Sequence, residues 1–200
     1  MSAATGSEAL ERLAARVREE GPPLTVKESP ARPMAGDPRY GELAATGPRT
    51  RGKAGEYAFV VEAVREGYLC HYGTSRILDD PDPDLALLAG DLFYAIGIRG
   101  LADLDDLEST GILSDLIRVA AGLQAAGRPD LAEVVWLGQI VALACGKDAD
   151  QQAAVSGLEH GRDGAAGALA EWSARSAATS GMGREFDFAQ TAIDSRPSNL

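Results

Sequence analysis

The sequence predicts an all-α protein built as a single helical bundle domain, and three features of the chain carry that prediction. Apolar residues recur at helical spacing through most of residues 55–178. No two alternating segments flank an Asn-Gly turn, so the pattern of a β-hairpin is missing from the sequence. Hydrophobic residues make up 45% of the 200 residues, which is enough for one core of ordinary size.

The first 54 residues are predicted to form a helix followed by an extended N-terminal arm. Residues 7–20 place Leu10, Leu13 and Val17 on one helical face. Residues 21–54 are rich in proline and glycine, and proline fixes φ and lacks the N–H that helices need. Because so long an irregular segment is uncommon inside a compact domain, we interpret it as a mobile linker or as an arm wrapped over a partner.

The bundle itself is predicted for residues 55–178. The helices that the apolar spacing predicts cover residues 55–72, 83–104, 106–126, 129–146 and 148–178. Pro83 and Pro129 stand where proline can occupy the first turn of a helix. In the second of these helices the recurring apolar positions are Leu85, Leu88, Leu92, Ala95 and Ile96. Apolar stripes left exposed on these helices would favour association with another chain.

Residues 179–200 are predicted to form a flexible C-terminal tail. Glycine, serine and proline surround a single apolar cluster at Phe186, Phe188 and Ala189, which offers little to bury. Such a segment can order when it docks onto a larger assembly, so Phe186 and Phe188 are candidates for partner docking.

The charge balance excludes some classes of partner. Nineteen basic and 30 acidic residues give a net charge of −11, which repels phosphate backbones and anionic lipid headgroups. We therefore expect neither nucleic-acid binding nor membrane insertion. The longest uncharged run, residues 134–146, is shorter than the roughly 20 residues that span a bilayer and is predicted to be a buried core helix.

Two cysteines in a chain without a recognisable secretory leader indicate a reducing, cytoplasmic environment. Cys70 precedes His71, and a thiolate beside a base is one way to activate a nucleophile. However, neighbouring helical residues point about 100° apart, so a Cys-His pair is not expected here. We expect a core histidine and no catalytic residue.

An aspartate-rich stretch precedes the second bundle helix and admits two interpretations. Asp79, Asp80 and Asp84 could supply the oxygen ligands that Mg²⁺ prefers when it bridges a diphosphate. Alternatively, Asp82 or Asp84 caps the helix that begins near Pro83. The prolines interrupt any continuous helix that would place the carboxylates on one face, so capping is favoured and no metal or other cofactor is expected.

The helix after this stretch carries a family resemblance. Residues 87–104, "LLAGDLFYAIGIRGLADL", resemble the L-x-G-D helix of the trans-type polyprenyl diphosphate synthases, which in that family follows shortly after the first aspartate-rich motif. The resemblance extends loosely over residues 55–125 and implies an all-helical fold. Those enzymes carry two DDxxD motifs, whereas the two look-alikes in this chain end at Pro83 and Ser109.

The departures from the family pattern point away from catalysis. The basic diphosphate-binding motif of that family is echoed only by Arg51 and Lys53, without its double glycine. A chain that keeps the helix but lacks the metal motifs is similar to the small, non-catalytic subunit of the heterodimeric polyprenyl diphosphate synthases. That resemblance implies a role in stabilising a catalytic partner subunit and in setting the length of its product.

Four residues of this helix are candidates for a tunnel wall or an interface. Bulky side chains at Phe93 and Tyr94 could stop a growing hydrocarbon, although aromatic residues in an apolar helix more often pack in a core or a dimer interface. Gly90 would let another helix approach closely, and Asp91 needs a partner if it is buried.

Three functions follow from these observations. The first is a non-catalytic helical subunit that forms a hetero- or homo-oligomer with a polyprenyl diphosphate synthase-like partner. The second is a helical scaffold or adaptor, unrelated to isoprenoids, that binds a larger assembly through its arm and tail. The third is a divergent Mg²⁺-dependent enzyme that uses Asp79, Asp80 and Asp84.

Overall fold

The computed structural model describes residues 2–30 and 36–195, and in these residues the protein is an all-α helical domain, as predicted. The helices are α1 (Ser2–Glu20), α2 (Tyr40–Thr46), α3 (Ala54–Tyr72), α4 (Pro83–Leu104), α5 (Leu107–Ala125), α6 (Pro129–Cys145), α7 (Ala149–Glu159), α8 (Ala165–Thr179) and α9 (Gly183–Asp194). A short 3-10 helix, Arg51–Lys53, precedes α3. Extended pairing within the described ranges is limited to one antiparallel bridge between Val26 and Leu78.

Helix α6 forms the centre of the main core. All of its residues from Val135 to Ala144 are buried, because the helix is apolar on nearly every side and neighbours surround it. Trp136 is almost fully buried and stacks on Tyr40 of α2, with ring centroids 5.4 Å apart. The prediction of a buried core helix over residues 134–146 is therefore confirmed.

Glycines bring α3 and α4 close together. A Cβ atom at Gly67 of α3 would lie 2.6 Å from the ring of Tyr94, and one at Gly97 of α4 would lie 2.7 Å from Val64. A Cβ atom at Gly90 of α4 would lie 2.6 Å from Nε2 of His71 in α3. Side chains at these positions would push the two helices apart, so small residues hold α4 against the bundle.

A buried ionic network attaches the segment before α3 to the bundle. The guanidinium of Arg76 donates to Glu62 Oε2 at 2.6 Å, to Glu66 Oε1 at 2.5 Å and to Asp37 Oδ2 at 2.9 Å. Glu62 also accepts a hydrogen bond from the backbone N–H of Gly41 in α2, at 2.9 Å. Burial raises the pKa of Glu62, and the charge of Arg76 opposes that rise.

This network changes the interpretation of the N-terminal arm. Where the sequence predicted an irregular linker over residues 21–54, the described residues 36–54 include α2, most of which is buried against α3 and α6. Residues 24–30 also contact the domain, since Leu24 and Val26 pack against a second apolar cluster. This second apolar cluster is formed by residues of α1, α3 and α4 together with Ile77 and Leu78. Residues 31–35 of the predicted arm lie outside the described residues.

The helix predicted for residues 148–178 is two helices in the structure. Gly161 and Gly164 adopt φ values of +66° and +77° between α7 and α8, a conformation that glycine reaches at little cost. Trp172 of α8 donates its indole N–H to Asp148, the N-cap residue of α7, at 2.9 Å. The glycines permit the reversal, and the tryptophan fixes the two helices to each other.

The predicted flexible tail is helical over most of its length. Residues 183–194 form α9, and Phe186 and Ala189 lie in the main core. Spacing of apolar residues by three and four positions gives α9 a buried face, which the surrounding glycine and serine obscured in the sequence. Residues 196–200, the end of the predicted tail, lie outside the described residues.

Candidate functional site

Helix α4 exposes leucines that a folded domain would ordinarily bury. Its inner side faces α1 and α3, where Ala89 and Phe93 belong to the second apolar cluster. On the opposite side, Leu88 is 68% exposed and Leu87 is 47% exposed. Helix α4 is apolar on both sides, but this chain buries only the inner side. The outer apolar side is therefore free to contact another molecule.

The exposed side of α4 forms one continuous surface, which we call the α4 face. Its residues follow the helix from one end to the other at helical spacing, and they are Asp84, Leu87, Leu88, Asp91, Leu92, Ala95, Ile98, Arg99 and Ala102. Leu92 and Ile98 are partly buried at the edges of this surface, whereas Ala95 is exposed at its centre. Two opposite charges, Asp91 and Arg99, interrupt the apolar surface one turn to either side of Ala95.

A cleft adjoins the N-terminal end of the α4 face. It has a volume of about 620 Å³, within the usual range of about 300–1,000 Å³ for small-molecule sites. Asp79 and Asp80 line it together with Lys27, His71 and Leu87, so two of the three predicted metal ligands and one residue of the α4 face share this cleft.

The aspartate-rich stretch acts as a helix start in the structure. Asp82 is the N-cap of α4, and its side chain accepts a hydrogen bond from the backbone N–H of Leu85 at 3.0 Å, as the capping interpretation predicted. Asp84 lies in the exposed first turn of α4 and does not line the cleft with Asp79 and Asp80. Within residues 2–30 and 36–195, no group of three or more His, Cys, Asp and Glu side chains is placed to hold a metal ion.

The cleft offers no activated nucleophile at its cysteine. Burial, reinforced by the charge of Glu66, raises the pKa of Cys70 to about 12, which keeps the thiol protonated near neutral pH. The ring of His71 instead stacks on Tyr94, with centroids 5.5 Å apart. Its Nε2 lies 3.2 Å from Asp91 Oδ1, within ion-pair distance but outside hydrogen-bond geometry.

The structure separates the four tunnel or interface candidates. Phe93 is fully buried inside this chain's own apolar cluster, and Gly90 is buried against α3, so neither lies at a surface that a partner could reach. Tyr94 is partly buried between the two helices. Asp91 alone among the four lies on the α4 face, with a side chain that is 73% exposed.

The two tail candidates have different surroundings. Phe186 is 7% exposed and belongs to the main core, so it is not free to dock elsewhere. Phe188 is 46% exposed, and the guanidinium of Arg39 lies over its ring at 4.4 Å.

Sequence reasoning did not identify the α4 face. Of the recurring positions found in the sequence, Leu88 and Ala95 lie on the outward side of α4, whereas the inward side is formed by Ala89, Phe93 and Leu101, with Ile96 packed beside them. The spacing alone therefore did not separate the outward side of α4 from its inward side. The sequence feature that could have revealed the α4 face is the presence of apolar residues on both sides of a helix that also carries Asp91 and Arg99.

Helix α4 also passes a length and composition test for a membrane span, the one helix in the described part of the chain that does. Its mean hydropathy over an 18-residue window is 1.5, and 28% of that window is buried in the protein. Length and composition alone are weak evidence, because core helices of water-soluble proteins pass the same test.

Comparison of the chain with protein-family models, curated proteins and solved structures finds no match.

Proposed function

We propose that this protein is a helical subunit of a protein assembly and that it associates with its partner through the α4 face. The observation that supports this most directly is the exposure of two adjacent leucines on α4, Leu88 at 68% and Leu87 at 47%. Contiguous exposed apolar surfaces of this kind are typical of sites of association. Covering Leu87 and Leu88 would remove apolar surface from water at a gain of roughly 25 cal/mol for each Å².

The composition of the face favours a protein partner over a lipid bilayer. Asp91 and Arg99 lie in its middle, and a charged side chain near the centre of a bilayer costs at least about 2.5 kcal/mol. At a protein interface the same charges can be paired or can remain at a hydrated rim. The inner side of α4 is also packed closely on α3 through Gly67 and Gly97, which fixes the helix to the domain.

The resemblance to the polyprenyl diphosphate synthases gives one specific form of this proposal. In that form the partner is a catalytic subunit with two intact DDxxD motifs, and this chain stabilises it. Because Phe93 is enclosed within its own subunit, a contribution to a product tunnel would have to come from the exposed residues of the α4 face.

The proposal is tested by comparing two single substitutions in a tagged chain expressed in its own cells. Leu88→Glu places a charge in the α4 face, and Ala174→Glu places the same charge on an exposed position of α8. We expect a stoichiometric companion to copurify with the wild-type chain and with the Ala174 variant, but not with the Leu88 variant. Mass spectrometry then identifies the companion.

Retention of the same companion by the Leu88 variant would contradict the α4 face as the docking site. A companion with two DDxxD motifs would support the polyprenyl form of the proposal, and a different companion that depends on Leu88 would refute that form while leaving the general one intact. Circular dichroism of both variants checks that each remains folded.

A further inference from the structure

We infer that the α4 face binds a second copy of this chain, in an antiparallel helix pair centred on Ala95. This inference rests on the proposed function, because it names the partner of the same surface. The observation that carries it is the arrangement of charge around Ala95: Asp91 lies four residues before it and Arg99 four residues after it, and all three are exposed.

Helix geometry places these residues on one row. Four residues advance a helix by about 6 Å and rotate it by only about 40°, so Asp91, Ala95 and Arg99 follow a ridge along the exposed side. Asp91 and Arg99 are separated by about 12 Å along the axis, which is too far for an ion pair within one helix. Asp91 also lies 3.2 Å from His71 Nε2 of its own chain, but its side chain is 73% exposed, so both charges remain accessible to another molecule.

An antiparallel partner matches this arrangement. If a two-fold axis passes beside Ala95, position 95−k of one copy lies level with position 95+k of the other. Asp91 of each copy then lies level with Arg99 of the other, which gives two equivalent charge pairs. Leu88 of each copy likewise lies level with Ala102 of the other. A large residue thus faces a small one, and the small Ala95 at the crossing lets the helix axes approach to about 8 Å.

A parallel pair of the same helices would place Asp91 level with Asp91 and Arg99 level with Arg99. Like charges at close range in an interface are unfavourable, whereas complementary charges fix the orientation of the partners. The charge pattern therefore selects the antiparallel arrangement. One helix from each copy gives an interface at the small end of the usual range, so dimerisation is expected at micromolar concentrations, up to about 100 µM.

The first test is sedimentation velocity on the full-length chain and three charge variants. Arg99→Asp and Asp91→Arg each place like charges opposite one another, and we expect each to weaken the dimer at least tenfold. The double variant with both substitutions restores opposite charges in the reversed order and is expected to dimerise like the wild type. Because the two positions do not contact each other within one chain, rescue can only come from contact between copies.

The second test locates the two-fold axis by cysteine cross-linking. Ala95→Cys would bring two thiols close enough for a disulfide, which needs Cα atoms within about 7 Å. Ala102→Cys is a matched exposed position that lies far from its own copy in an antiparallel pair. We expect mild oxidation to cross-link the Ala95 variant alone, with the wild-type chain as the control for native Cys70 and Cys145.

A wild-type chain that stays monomeric up to about 100 µM would overturn this inference, as would a dimer indifferent to the charge reversals. Cross-linking at both Ala95 and Ala102 would indicate a parallel pair and would also overturn it. A monomer that still captures a Leu88-dependent companion would refute the second copy as partner but preserve the proposed function. If Leu88→Glu leaves every association unchanged, the proposed function itself fails.

Discussion

At the scale of single residues, the stability of this protein depends on a network of buried charged side chains. The guanidinium of Arg76 is surrounded by three carboxylates, from Asp37, Glu62 and Glu66, and all four side chains are at least nine-tenths removed from solvent. Breaking a buried ionic network by removing one partner leaves uncompensated charge, which is more costly than the net gain from forming the network.

Replacing Arg76 with methionine should lower the free energy of unfolding by about 3–5 kcal/mol, because three buried carboxylates lose their common partner. The matched control is Arg118→Met, since Arg118 pairs with Asp115 and Glu159 on the surface and its side chain is 53% exposed. The control should cost less than about 1 kcal/mol. Urea unfolding of both variants measures the difference, and equal costs would show that the Arg76 network contributes little.

Asp106 links stability to pH through its hydrogen bonds. Burial alone would raise the pKa of Asp106, but hydrogen bonds from Ser109 and Tyr57 and the charge of Arg49 outweigh it and hold the pKa below the ordinary 3.8. A carboxyl whose pKa is lower in the folded state than in the unfolded state stabilises the fold at pH values above the unfolded-state pKa. That stabilisation is lost as the pH falls through the folded-state pKa.

Asp106→Asn should therefore be less stable than the wild type at neutral pH, because asparagine keeps a capping oxygen but loses the charge. The gap should shrink as pH falls below about 4. Urea midpoints measured from pH 7 down to pH 2 would show this convergence. A gap that stays constant over the whole range would mean that the charge of Asp106 does not contribute.

At the scale of helices, the contact between α3 and α4 depends on glycine. Gly67→Ala places a Cβ atom 2.6 Å from the ring of Tyr94 and 3.0 Å from the carbonyl oxygen of Gly90. We expect a loss of about 1–3 kcal/mol from overpacking, despite the better helix propensity of alanine. Gly111→Ala in α5 meets no atom within 4 Å and should stabilise the protein by up to about 1 kcal/mol. Thermal unfolding that moved both variants in the same direction would contradict the close α3–α4 contact.

Substitutions of two phenylalanines in α9 test whether this helix packs on the rest of the domain. Phe186→Ala should cost about 3 kcal/mol, because this side chain is 7% exposed in the main core. Phe188→Ala should cost less than about 1 kcal/mol, because its ring is 46% exposed. Equal, small losses in urea unfolding would indicate that α9 does not pack on the body in solution.

The helices of the bundle could be predicted from local signals, whereas their partners in space could not. Asp82, Pro83 and Gly127 mark helix ends by their own chemistry, so the boundaries of α4 and α5 agree with the sequence to within a few residues. The side of α4 that faces the core depends on where α1 and α3 lie. That information is not contained in the spacing of Leu88 and Phe93, because both belong to helical apolar stripes.

The candidate site was predicted only in part, for the same reason. Asp79, Asp80 and Asp91 were identified from the sequence, and they lie in the cleft or on the α4 face. Arg76 was not identified, because its carboxylate partners come from α3 and from the segment before α2. Long-range ion pairs of this kind leave no periodic signal in one sequence.

At the scale of the whole molecule, the chain is a domain whose described residues bury one side of α4 and expose the other. The net charge of −11 makes indiscriminate self-association unfavourable, so a persistent contact through the α4 face must be specific. Such a face is expected to be covered in the assembled protein, by a second copy or by another helical subunit.

The most direct measurement is photo-cross-linking in the protein's own cells, with a photoreactive amino acid placed at position 88 of the full-length chain. We expect one discrete adduct from position 88, loss of that adduct when Leu87→Glu is added, and no adduct from the exposed position 174 on α8. The absence of an adduct at position 88, or the same adduct from both positions, would contradict the central claim that the α4 face is a docking surface.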